Sequence, residues 1–183
     1  MLGGDEAVGR MANRVKLKAE FTNAADQGGG WHFLVVDRKY VDKLGFEGRS
    51  KRVLCSIKGA EAFPCALMPW GEIFYIMVNK LRRAELGLKV GDRVEIVLER
   101  DESKYGMPMP NELDEVMRQD PEGSKLFHSL TAGKQRSMMY YIAKIKDIDN
   151  RIHTSLVLME HLKNNDGRVI YEILREDLKR PSL

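Results

Sequence analysis

Residues 33–57 and 76–98 are two copies of one pattern. Each runs from an apolar, strand-like segment through a short polar helical turn to a Leu-Gly pair, then a tight turn and a second strand. In the first copy these are Phe33-Leu34-Val35-Val36, Leu44-Gly45 and residues 52–57. In the second they are Ile76-Met77-Val78, Leu86-Gly87 and residues 93–98. A strand–turn–strand unit present twice predicts a sheet closed around a pseudo-twofold axis, because two half-barrels cover each other's open edges. This constrains architecture and leaves chemistry open.

Val15, Leu17, Ala19 and Phe21 alternate with Lys16, Lys18 and Glu20, the period of a half-buried strand. Residues 31–36, 51–57, 62–67, 73–78 and 93–100 complete a predicted set of six strands. Asp26-Gln27-Gly28-Gly29-Gly30 reads as a loop, and Pro64 marks a bulge or an edge position. Pro69-Trp70-Gly71 reads as a turn. Gly87 suits the left-handed position that ends a short helix, which leaves Leu88 and Val90 to plug the core. Gly91-Asp92 then turns the chain, the carboxylate accepting a backbone N–H two residues on.

The texture changes at Tyr105-Gly106-Met107-Pro108-Met109-Pro110, which reads as a linker. Asn111 is the expected N-cap of a helix over 112–117, and Asp120-Pro121 repeats the signal with proline at the first helical position. From Gly133 to Leu162 the apolar residues Met138, Tyr141, Ile142, Ile145, Ile148, Ile152, Leu156 and Met159 recur at three and four. They predict one buried stripe, broken into two helices at Asp147 or Asp149. Val169, Ile170, Ile173, Leu174 and Leu178 form a last amphipathic segment. The expected organisation is therefore an N-terminal extension over 1–14, expected to be mobile, a barrel over 15–106 and a helical region over 107–183.

The composition, 43% hydrophobic and 31% charged, is that of a soluble globular protein. No apolar run reaches the roughly 20 residues that cross a bilayer, so membrane insertion is not expected. Residues 1–14 carry Asp5 and Glu6 and no apolar core of a signal peptide, which points to the cytoplasm. The formal net charge of +3 does not demand a polyanionic partner. Cys55 and Cys65 flank the predicted turn Lys58-Gly59-Ala60-Glu61 and read as reduced thiols, small apolar fillers of a barrel wall.

Catalytic signatures are missing: there is no nucleophile elbow, phosphate loop, metalloprotease helix or dinucleotide fingerprint. His153 and His161 would lie about 12 Å apart along a helix, with Val157 at the midpoint, so no metal site or cofactor is expected. Two basic clusters stand out, Arg49-Lys51-Arg52 and Lys80-Arg82-Arg83. They are the candidate anion or nucleic-acid surface, although Asp37, Asp42, Glu47 and Glu85 are interspersed. Trp70, with Tyr140, Tyr141, Lys146 and Arg151, is the candidate groove for a small ligand or peptide.

The Leu-Gly ending of a one-turn helix, followed by Gly-Asp and a strand, resembles the double-split, cradle-loop barrels of the AbrB type. Residues 15–100 are similar to the bacterial domain of unknown function that accompanies the YdeI/OmpD-associated, or bacteriocin-protection, C-terminal region. Met109-Pro110, Leu130, Arg136, Tyr140-Tyr141-Ile142, Lys146 and Arg151 carry the resemblance to that C-terminal region. Where the family has Thr-Arg followed by a second arginine, this chain has Asn150-Arg151 and then Thr154. The resemblance implies an α+β protein, a six-stranded double-split barrel followed by helices. It implies a non-catalytic binding or stress-associated module with a protein or small-ligand partner. A nucleic-acid binder using the basic clusters is the competing expectation. One chain supplying both halves of the barrel favours a monomer.

Overall fold

In the computed structural model, which describes residues 12–24 and 30–181, the chain divides after Glu102 into two compact units. Each has its own core.

The first unit is built from strands β1 (Arg14–Asn23), β2 (His32–Asp37), β3 (Arg52–Ile57), β4 (Phe63–Ala66), β5 (Met68–Trp70), β6 (Ile73–Met77) and β7 (Arg93–Arg100). Helix α1 (Arg38–Lys43) follows β2, and α2 (Lys80–Glu85) follows β6. All pairings are antiparallel, in the order β4-β3-β7-β1-β2-β6-β5, and the sheet curls into a nearly closed barrel. Across the remaining seam β4 lies near β6. Alternation decides what faces inward: in β1, Val15, Leu17, Ala19 and Phe21 are buried, and Arg14, Lys16, Lys18 and Glu20 face solvent. β1 begins at Arg14, and the Ala12 N–H already bonds to the Lys43 carbonyl. Of the expected N-terminal extension, residues 1–11 lie outside the described residues, as do residues 26–29 of the expected glycine loop.

Seven strands are present where six were expected. The addition is β5, in the segment that reads as a turn. Trp70 pairs with Ile73 and Met68 with Tyr75, so the turn is only Gly71-Glu72, with Gly71 at φ +58°. A proline tolerates this place because β5 is an edge strand, where its missing N–H breaks no ladder.

The segments that repeat in the sequence are joined by strand pairing. β2 pairs with β6, its counterpart in the other copy, and β3 pairs with β7. Both helices end alike: Gly45 at φ +62° and Gly87 at φ +60° take the left-handed position, and each donates its N–H back to the preceding turn. Leu44 and Leu88 are buried beside them. Val90 does not plug the core; it is 52% exposed, because the Asp92 carboxylate accepts the Lys89 N–H three residues back and tightens the loop at that point. The expected forward bond from Asp92 is replaced by a ladder: the Gly91 N–H bonds to the Phe21 carbonyl, and the Phe21 N–H to that of Asp92.

The second unit holds α3 (Asn111–Gln119), α4 (Pro121–Ser129), α5 (Ala132–Ala143), α6 (Ile148–Asn164) and α7 (Tyr171–Asp177). Asn111 is the first helical residue rather than the cap, since Pro110 occupies the N-cap. Asp120 caps α4 by accepting the Gly123 N–H, with Pro121 at N1. Asp147 caps α6 by accepting the Asn150 N–H, which separates α6 from α5. α6 packs against α3, α4, α5 and α7. The predicted stripe is corrected at this helix. Ile148, Ile152 and Leu156 are exposed; of the stripe's residues on this helix Met159 is buried, and the rest of the buried face is Thr154, Ser155, Val157, Leu158, His161 and Leu162. Tyr141 is exposed as well, leaving Met138, Met139 and Ile142 as the inward side of α5. Buried His161 ties down α7. Its Nε2 accepts the Ile170 N–H at 3.1 Å, so the ring proton sits on Nδ1 and is donated to Asp177 at 3.0 Å.

Candidate functional site

At the seam of the barrel the start of β2, the edge strand β4, the end of β6 and α2 enclose a cleft of about 410 Å³. Each wall follows from local sequence. β6 ends at Met77, and two residues on Asn79 caps the start of α2, its side-chain carbonyl accepting the Arg82 N–H at 2.8 Å. That start brings Lys80, Arg82 and Arg83 to the cleft. The Arg82 guanidinium lies 3.7 Å from the centroid of the Phe63 ring on β4, a cation–π contact that fixes the arginine across the seam. His32 lines the opposite wall, its ring stacked on Phe21 at 5.8 Å.

The electrostatics are one-sided. Among the described residues that line the cleft there is no Asp or Glu, and Lys80, Arg82 and Arg83 form no ion pair with a described carboxylate. Three cations in one concavity, with no carboxylate among the described lining residues, attract an anion of small-molecule size.

Cys65 also lines the cleft. On β4 it stands opposite Val53, so it shares the inward face with Cys55 two residues further along β3. The Cys55 thiol is fully buried. The neighbouring Cys65 side chain, then burial, push the Cys55 thiol far above the ordinary cysteine range, while Arg82 pulls the other way.

The two basic clusters predicted from sequence do not meet at this cleft. Arg52 belongs to one of about 370 Å³ that also contains Glu47, Asp101 and Glu102, so its charge is answered locally. Lys51 donates to the Gly48 carbonyl at 3.2 Å and lies over the Phe46 ring, and Arg49 points to solvent. Of the six cations, Lys80, Arg82 and Arg83 are thus gathered in a cleft with no carboxylate among its described lining residues. Sequence reasoning missed His32, Asn79, Phe63 and Cys65 as their companions. The signal available was the pair of cysteines flanking one hairpin turn, which brings β4 beside β3.

The candidate groove residues fall in both units. Trp70 belongs to the barrel, where it meets Phe33 edge-on at 5.6 Å and Tyr75 at 6.0 Å. With Trp31, 64% exposed, it forms an aromatic outer surface over β2, β6 and β5. Tyr140, Tyr141, Lys146 and Arg151 belong to the helical unit. Tyr140 carries Lys144 over its ring at 4.5 Å, and Lys146 is exposed. Arg151 is committed to structure: its guanidinium pairs with Glu112 at 3.2 Å, joining α6 to α3. No curated protein matches the chain. Residues 18–98, nearly the whole of the seven-stranded barrel, are matched by the family described as a domain of unknown function, DUF1905.

Proposed function

We propose that the barrel is a non-catalytic binding module that holds a small anionic ligand in the seam cleft. The observation that carries this reading is the meeting of Lys80, Arg82 and Arg83 around about 410 Å³ without a carboxylate among the described lining residues. Arg82 is already ordered by Phe63, so less side-chain freedom is lost when the ligand binds. Inorganic pyrophosphate is a suitable probe. It should raise the melting temperature of the full chain, and the Arg82→Ala/Arg83→Ala variant should lose that shift. An equal shift in the variant would refute the cleft as the site.

In this reading the barrel follows the double-split plan of AbrB-like proteins, supported by the pairing of β2 with β6 and β3 with β7. The helical unit is a YdeI/OmpD-associated-like region, supported by the order of Met109-Pro110, Leu130, Arg136, Tyr140-Tyr141-Ile142, Lys146 and Arg151. A monomer suffices, because one chain supplies both halves of the cylinder.

Nucleic-acid binding is the second reading, favoured by the exposed Trp31, just before β2, and Trp70, on β5 beside β6. Neutralised phosphates impose a steep fall of affinity with salt. Oligonucleotide binding with that slope, lost in the same arginine variant, would select this reading over a small ligand.

A further inference from the structure

The seam cleft contains a nucleophile that anion binding does not use. Cys65 opens onto the cations, and Cys55, buried, stands diagonally across from it on the same face of β3. We propose that the cleft is a thiol–disulfide exchange site for a small disulfide bearing carboxylates, with Cys65 as the attacking sulfur and Cys55 as the resolving one. The proposal rests on the anion-binding reading of the cleft, since Lys80, Arg82 and Arg83 are what would select a carboxylate-bearing disulfide over a neutral one.

The order of events follows from position. Cys65, partly exposed at the cleft, gives up its proton and attacks one sulfur of the incoming disulfide, R–S–S–R. The S–S bond breaks, a mixed disulfide forms at Cys65, and the first RS⁻ leaves and takes up a proton. Cys55 then loses its proton and attacks the Cys65 sulfur. The mixed disulfide breaks, the Cys55–Cys65 bond forms, and a second RSH departs. In sum two protein thiols are oxidised and one small disulfide is reduced to two thiols, with the chain as a stoichiometric reactant.

Closing the bond asks for a small movement of β4. Diagonal residues on antiparallel strands stand about 7–8 Å apart between Cα atoms, and a disulfide accepts roughly 4.4–6.8 Å. β4 can supply the difference of about 1 Å, because it is a four-residue edge strand bonded to β3 alone, and Pro64 within it donates no hydrogen bond. A bond formed under that strain is readily reduced again.

The test treats the reduced full chain with oxidised glutathione and follows free thiols and intact mass. Wild type should lose both thiols and two hydrogens, with no lasting adduct. Cys55→Ser should stop as a glutathione adduct at Cys65, and Cys65→Ser should not react. Arg82→Ala/Arg83→Ala should lose about tenfold more rate with oxidised glutathione than with the neutral 2-hydroxyethyl disulfide. Both thiols surviving in wild type, an adduct that never resolves, or Cys65→Ser reacting as fast as wild type would each overturn the exchange site. If pyrophosphate still shifts the melting temperature in an arginine-dependent way, that failure leaves the anion cleft standing. Equal loss of rate with both disulfides would instead overturn the assignment of a carboxylate-bearing substrate.

Discussion

At Gly123 in α4 a β-carbon would stand 2.8 Å from Asp120 Oδ2 and 2.9 Å from Met159 Cβ. The first neighbour is the tip of a capping side chain, but the second is rooted in the backbone of α6 and cannot swing away. Gly123→Ala should therefore force α4 from α6 and cost on the order of 1–3 kcal/mol, despite alanine's better helix propensity. Chemical denaturation of the wild type and the variant checks this; an unchanged or raised midpoint would mean that the helices separate freely. Asp120 itself does two jobs. It accepts the Gly123 N–H at 2.9 Å and pairs with Lys163 at 2.6 Å. The Lys163 ammonium, then the Gly123 N–H, hold its carboxyl below the usual Asp range, and the same pairing raises Lys163. A depressed carboxyl contributes stability that is present above its unfolded pKa, about 3.9, and is lost as pH falls through the folded value. A raised lysine contributes below its unfolded pKa, about 10.4, and loses that contribution as pH rises through the folded value. Asp120→Ala should thus cost about 1 kcal/mol at neutral pH, chiefly from the lost cap, and its stability should fall less steeply in acid than that of wild type. Parallel acid limbs in urea titrations across pH would contradict the linkage.

The helix α6 is where hydrophobic periodicity misleads. Two apolar series run along it, Ile148-Ile152-Leu156 and Val157-Leu158-Leu162, and the neighbouring helices cover only the second. Leu158→Ala should cost about 2–5 kcal/mol, and Leu156→Ala should stay within about 0.5 kcal/mol of wild type. Comparable losses at both positions would put the buried face elsewhere. Nothing in the sequence distinguishes these leucines by type. What separates them is the small Thr154 and Ser155, which let partners approach, and His161, which finds donor and acceptor only on the inner side. The barrel was more legible because its signals are local. The alternation through β1 and the glycines at the ends of α1 and α2 each follow from a few adjacent residues. The seam cleft was legible only in part. Lys80, Arg82 and Arg83 stand out as a run, whereas Cys65, Phe63 and His32 reach them through the closure of the sheet, which is a long-range event.

At the scale of the molecule the two cores share no residue: Phe21, Leu34 and Ile96 centre one, Phe127, Met139 and Leu162 the other. Each unit should therefore fold by itself. Residues 1–102 and 103–183, expressed separately, should each unfold cooperatively with heat, as small single domains do. A fragment without a cooperative transition would show that it depends on the other. Within the barrel, stability will not be uniform. β3 and β7 are bonded on both flanks, but β4 is bonded on one and interrupted by a proline. Its amides can trade protons with water by a local peeling that leaves the rest of the cylinder intact, well below the cost of unfolding the whole. The stave that completes the barrel is thus also its hinge, and traffic through the wall would pass there first.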